Sequence, residues 1–471
     1  MNHSTTPLHP LPPPAPSSRP RRRSGGLKPI NPDAAGIDIG STEHYVAVPA
    51  DRDSNSVRVF GCLTPDLHAM ARWLKICGIK TVAMESTGVY WVPIVQVLEQ
   101  YELQINVVDA AYVKNVPGRK TDVEDCQWIQ ELHTFGLLRG AFRPDKEIQA
   151  LRSYWRQRET LVEEAARQIQ RMQKALEQMN LQLHKVLSDI TGVTGMTMIR
   201  AILAGQRDPV VLARLKHPLV KSSAETIVKA LTGDYHDHHL FALRQAVELY
   251  DIFQRKIADC DQAVQTYMAT LESKSEPTDP KPEKPHAKKM PKPRKNQVHF
   301  DLQSELVRLT GVDLTAIDGI STLTAQTLLC ECGRDMNPFP TEKHFSSWLG
   351  LCPNNRITGG KVKKTKTRKV RNRAAEALRL AAQSLHHSKS ALGAFSRRLK
   401  GRLGPAKAIT ATAHKLACLV YRMLKFGQAY VDRGQEHYEK QYKERLLAQL
   451  QKRARQMGFE LIETTTGELV S

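Results

Sequence analysis

A chain of 471 residues with 69 Lys and Arg against 48 Asp and Glu carries a formal charge of +21, an excess that selects polyanionic partners. The length predicts two or three domains. No apolar run reaches membrane-spanning length, and eight cysteines without a Cys-x-x-Cys pair fit reduced thiols in a cytoplasmic protein, not a disulfide scaffold or zinc module.

Residues 1–33 are rich in Pro, Ser and Arg and lack the apolar centre of a secretory signal, so a disordered basic leader is expected. Residues 34–143 alternate strand and helix signals. Strands are predicted at 35–40, 44–49, 57–63, 81–86 and 104–110, and helices at 65–77, 89–101 and 121–137. That order predicts an α/β domain with a mixed sheet. Residues 144–271 form a helical domain. It opens with a heptad seam through Ile148, Leu151, Trp155, Val162, Ala165, Ile169, Met172, Leu176, Met179, Leu183, Val186 and Ile190, with Arg158 as its polar break. One continuous helix of that length would reach roughly 60 Å, and sustained heptads favour a coiled-coil dimer strut over packing within the chain. Further helices up to 271 are expected to return along it. Residues 272–299 are a Lys/Pro-rich linker.

Residues 300–433 predict a helical domain, with helices at 342–350, 372–388 and 406–432, followed by a charged tail at 434–471. Within it, LTAIDGISTLTAQTLL (314–329) places a Gly-containing turn between helical segments. The turn is read either as a helix-hairpin-helix contact for phosphate or as a plain corner.

Four acids stand out. Asp38 closes the first strand in AAGIDIGST, and Glu85 ends the fourth in VAMESTG. Asp122 and Asp125 in RKTDVEDC share one helix face, with Glu124 pointing elsewhere. Carboxylates gathered at strand ends repel one another unless hard cations such as Mg2+ or Mn2+ join them, and such ions also bind phosphate oxygens. Each acid has a structural reading as well: Asp38 can cap a turn, and a Thr121–Glu124 capping box accounts for Asp122. GIDIGST also looks like a phosphate loop of sugar kinases and actin-like ATPases. That fold needs a second α/β half, and the second half here is helical.

The segment HFSSWLGLCPNNRITGGKVKKTKTRKVRNR (344–373) places Thr358-Gly359-Gly360 as a flexible turn between cations. Arg356 precedes it, and Lys361, Lys363, Lys364, Lys366, Arg368, Lys369, Arg371 and Arg373 follow. The bland reading is a solvated loop. The functional one is phosphate neutralisation, with a hydroxyl at the turn attacking a phosphodiester while Arg356 and Lys361 stabilise the developing charge.

AAGIDIGS, AMESTGVYWVPI, RKTDVEDC, LTAIDGIST, FSSWLGLCP, ITGGK and NRAAEALRLAA occur in that order. Together they resemble the insertion-sequence one-ten (IS110) family of DEDD transposases, the bridge-RNA-guided recombinases, over about 34–135 and 305–432. The resemblance implies an RNase H/RuvC-like domain with Asp38, Glu85, Asp122 and Asp125 as its acids, and an all-α C-terminal transposase domain carrying a hydroxyl nucleophile. It implies donor and target DNA as substrates, a structured guide (bridge) RNA, and tetramers built from dimers. The family's usual nucleophile is the Ser of a Ser-Gly pair, and Thr358 stands there in this chain; Ser346 and Ser347 are the nearby alternatives. Asp109, where the family more often has an amide, is either a fifth acid or a turn residue. The competing reading is a metal-dependent Holliday-junction-type endonuclease without a covalent intermediate; a decayed, binding-only relative is a third.

Overall fold

The computed structural model describes residues 28–86, 88–108, 121–274, 296–368, 370–460 and 462. The leader up to residue 27, Asp109, Lys369, most of the Lys/Pro-rich linker and all of the last nine residues lie outside this set. The chain divides into two compact units, residues 1–142 and 143–471.

The first unit holds a five-stranded sheet in the order β3-β2-β1-β4-β5. Its strands are β1 (Ala34–Ile39), β2 (Glu43–Ala47), β3 (Val57–Gly61), β4 (Thr81–Glu85) and β5 (Gln104–Val108). β1 pairs antiparallel with β2 and parallel with β4, and β4 is parallel to β5, so the sheet is mixed as expected. Strand alternation assigns the faces. Ala35, Ile37 and Ile39 of β1, with Val82 and Met84 of β4, pack under α1 (Thr64–Ile76) and α2 (Trp91–Gln100). Gly36 and Asp38, with Ala83 and Glu85, therefore take the opposite face, which is covered by α3 (Asp122–Thr134). Helix and strand boundaries fall within one to three residues of the predicted ones.

The second unit begins with α4 (Lys146–Gln178), which stops well short of the residue 190 predicted for a continuous helix. Asn180 breaks it with a left-handed backbone (φ 55°), and Leu183 and Val186 belong to the separate short helix α5 (Leu183–Val186). Short helices α6 (Val193–Leu203), α7 (Pro209–Arg214) and α8 (Ala224–Leu231) follow, and α9 (Asp237–Thr270) returns along α4. Tyr267 near the end of α9 donates to the carbonyl of Glu147 at the start of α4 (3.1 Å), so the pair is antiparallel. Ile148, Leu151, Trp155, Ala165, Met172, Leu176 and Met179 are buried within this chain. The seam that a coiled-coil partner was expected to cover is thus occupied by the chain's own helices. Arg158 is no defect in it. Its guanidinium is buried, paired with Asp261 of α9, and donates to the carbonyl of Asn296 (2.9 Å).

After the linker come α10 (Leu302–Thr310) and α11 (Thr322–Cys332), joined through a 3-10 turn at Leu314–Ala316 and Gly319. A Cβ at Gly319 would stand 2.8 Å from the carbonyl oxygen of Ala381, so this turn backs onto its own chain. α11 docks on α4 through an Arg156–Glu331 fork (2.9 and 2.7 Å), an Arg152 bond to the Cys330 carbonyl (3.0 Å) and a Trp155 bond to Thr327 (3.2 Å). The bundle is completed by α12 (Glu342–Trp348), α13 (Arg373–Ser384), α14 (Ala391–Leu403), α15 (Pro405–Phe426) and α16 (Gly434–Gln456). α14 was not predicted from sequence. No helix among the described residues is long and apolar enough to cross a membrane.

Candidate functional site

Glycine decides how the first unit's acids meet. A Cβ at Gly36 would lie 2.3 Å from the amide nitrogen of Gln130 and 2.4 Å from the carbonyl oxygen of Cys126. Only a residue without a side chain lets α3 lie directly on the central strand. His133, near the C-terminal end of α3, is held by Thr81 at the start of β4 (2.8 Å). The helix consequently runs against the direction of β1 and β4, and its N-terminal turn sits at their C-terminal ends. That turn is capped by Thr121, whose hydroxyl accepts the Glu124 amide (3.3 Å).

Asp38 and Glu85 close neighbouring parallel strands, one residue beyond the Ile37–Met84 pair, on the face that α3 covers. Asp38 is half-buried. Burial, reinforced by the negative charges of Asp122, Asp125 and Glu85, raises its carboxyl from an ordinary 3.8 to about 6; the Ile39 backbone opposes this weakly. All four predicted acids therefore share one electrostatic field. Among the described residues no group of three or more His, Cys, Asp or Glu side chains is placed to hold a metal ion, so the quartet is coupled by repulsion without forming a coordination shell.

Two neighbours escaped the sequence reading. Cys126 is buried beneath Asp38, and its thiol is pushed up to about 12 by burial and by that acid. Tyr45 stands opposite Asp38 across β1–β2; its hydroxyl donates to Glu43 (2.9 Å), which raises its pKa, with a smaller push from Asp122. The register of a β-hairpin would have found Tyr45, and helical spacing from Asp122 would have found Cys126.

In the second unit, Thr358 ends β6 (Arg356–Thr358), which pairs with β7 (Lys361–Lys364). Gly359 and Gly360 both have positive φ (55° and 73°), the pattern of a tight type I′ hairpin turn rather than a flexible loop. Thr358 faces Lys361 across the hairpin and is exposed, as are Lys363, Lys366 and Arg371. Arg368 instead donates to the Ser347 carbonyl (2.6 Å), and Arg373 is salt-bridged to Glu159. Ser346 is buried with its hydroxyl donating to the Glu342 carbonyl (2.8 Å), a position with no access to a phosphodiester; Ser347 is exposed.

An IS110 DEDD transposase family model matches residues 35–181. A second, for the transposase IS116/IS110/IS902 family, matches residues 313–397. The chain belongs to the IS110 family of transposases. No curated protein matches this transposase. It is an enzyme of DNA transposition and recombination, its substrates are DNA, and its DEDD domain is of the metal-dependent, nuclease-like kind. The first match contains all four acids of this transposase, and the second contains Thr358 and the cationic hairpin.

Proposed function

We propose that this transposase cuts and rejoins DNA strands through a RuvC-like acidic site, Asp38, Glu85, Asp122 and Asp125, and a hydroxyl nucleophile, Thr358. The observation that carries the reading is the coupling of Asp38 to the other three acids at the C-terminal ends of neighbouring parallel strands. The strand order, with acids on the face under α3, supports an RNase H-type sheet. Their chemistry fits divalent cations: an oxygen-only donor set whose mutual repulsion disfavours ionisation until positive charge is supplied. Bound Mg2+ or Mn2+ would neutralise the carboxylates and polarise phosphate oxygens.

The Thr358 hydroxyl attacks phosphorus, forming a threonine–phosphate bond to the 5′ side. The bond to the 3′ oxygen breaks, and that oxygen leaves as a hydroxyl carrying a proton. A 3′-hydroxyl from the exchanged strand then attacks the phosphothreonine, joins the DNA and returns the threonine hydroxyl. Lys361, paired with Thr358 across the hairpin, offsets charge on the phosphorane. A structured RNA encoded by the element selects donor and target by base pairing, as in other guided effectors. Exposed Lys363, Lys366 and Arg371 hold the phosphate backbone.

The test is a reconstitution with donor DNA, target DNA and the RNA transcribed beside the coding region. Strand transfer lost in both Asp38→Asn and Thr358→Ala, with a protein–DNA adduct mapped to Thr358, supports the reading. Hydrolytic cleavage that survives Thr358→Ala unchanged replaces it with the junction endonuclease.

A further inference from the structure

The hairpin that carries Thr358 has two unlike faces. Partners directly across an antiparallel ribbon share a face, and successive residues alternate. Thr358 and Lys361 therefore share one face. Ile357 and Val362, paired in register, share the other. These two apolar side chains stay open to solvent, at 62% and 52% exposure, on a ribbon whose tip glycines have no atom within 4 Å of a would-be Cβ. More than half of each of these side chains is left uncovered by the protein itself, although the Thr358–Lys361 and Ile357–Val362 pairs beside the turn are formed.

The surrounding charge names the occupant. Lys361, Lys363 and Lys366 are exposed and make no ion pair among the described residues, a charge pattern that suits a polyanion better than a protein surface. A nucleic-acid strand offers phosphates along one edge and apolar base faces along the other, which matches a ribbon with a cationic hydroxyl face and an aliphatic face. We propose that Ile357 and Val362 form an apolar wedge that packs against unstacked bases of the DNA strand being exchanged, while the Thr358–Lys361 face meets its backbone. Aliphatic side chains that open base steps are an established way for proteins to deform DNA. Here the wedge holds the strand open beside the nucleophile. This deepens the proposed function, because it assumes that the hairpin engages the scissile strand.

The probe is a twenty-nucleotide oligothymidine compared with an abasic strand of equal length and equal phosphate number, both titrated with the full-length protein. The wedge predicts that the wild-type chain prefers the base-bearing strand by about tenfold, the order expected for burying aliphatic side chains on base surface. The Ile357→Thr/Val362→Thr double variant keeps β-branching, and hence the hairpin, but should lose that preference while binding the abasic strand as before. Restoring bulk with Ile357→Val/Val362→Ile should restore the preference. Equal wild-type affinity for both strands, or an undiminished preference in the Thr variant, overturns the wedge. An oligouridine RNA preferred over the DNA, with the preference lost in the Thr variant, overturns its assignment to the exchanged DNA strand. The nucleophile assignment is read separately, by strand transfer in Thr358→Ala, so its failure is distinguishable from that of the wedge.

Discussion

Gly36 lies directly beneath Gln130, close enough that a single methyl group would overlap the helix backbone. The helix on that glycine carries Asp122 and Asp125, and the strand beneath it carries Asp38 two residues on. Packing and acid geometry are therefore set by one contact. Gly36→Ala should lower the stability of the first unit by about 1–3 kcal/mol, the usual cost of overpacking a tight site, and should abolish strand transfer by displacing α3. Thermal unfolding and strand transfer, measured on one preparation, check both parts.

Asp38 makes stability depend on pH. Its folded carboxyl titrates near 6 rather than 3.8, so between these values the folded chain retains a proton that the unfolded chain has released. The contribution is fully favourable below 3.8 and is lost as pH rises through about 6. Asp38→Asn should accordingly raise the Tm of the first unit by about 2–4 °C at pH 7.5 and leave it unchanged near pH 4. Enough divalent cation to neutralise the wild-type quartet should erase the difference at pH 7.5. An equal effect at both pH values would contradict the repulsive cluster.

Thr358 carries the same hydroxyl as serine, with a methyl that stiffens χ1. Thr358→Ser should keep or increase strand transfer, whereas Thr358→Ala should lower it by at least about 100-fold without weakening DNA binding. Gel-resolved strand transfer beside an equilibrium binding assay separates the two effects.

The buried Arg158–Asp261 pair locks α4 to α9. Removing one partner strands a charge, so Arg158→Met or Asp261→Leu alone should cost about 3–5 kcal/mol. The double variant should recover most of that loss, since two apolar groups leave no uncompensated charge. Chemical denaturation of the four proteins closes the cycle.

The strands of the first unit were legible because alternation fixes both their existence and their faces. Asp38 and Glu85 were legible because each ends such a strand. What placed Asp122 and Asp125 against them, the absence of a side chain at Gly36, reads in sequence only as a gap in an apolar run. The heptad stripe announced a buried seam and not its owner: period says that a face is covered, while the covering helix begins at Asp237 and Arg158 meets its partner 103 residues away. The Thr358 hairpin was hidden by its own cations, which read as a solvated loop, although paired glycines between short β-runs are a turn signal. α14 was masked by Gly393, which the fold needs because a Cβ there would come 2.2 Å from the Ser388 carbonyl oxygen.

The proposed chemistry requires the four acids to act together on divalent cation. Titrating Mn2+ into the full-length protein at pH 7.5, with bound ion followed by electron paramagnetic resonance, tests this most directly. The wild-type chain should bind Mn2+, and Asp38→Asn and Asp125→Asn should each weaken that binding by at least about tenfold, as expected when one carboxylate leaves a shared hard-ion site. Identical Mn2+ binding in wild type and both variants would contradict it.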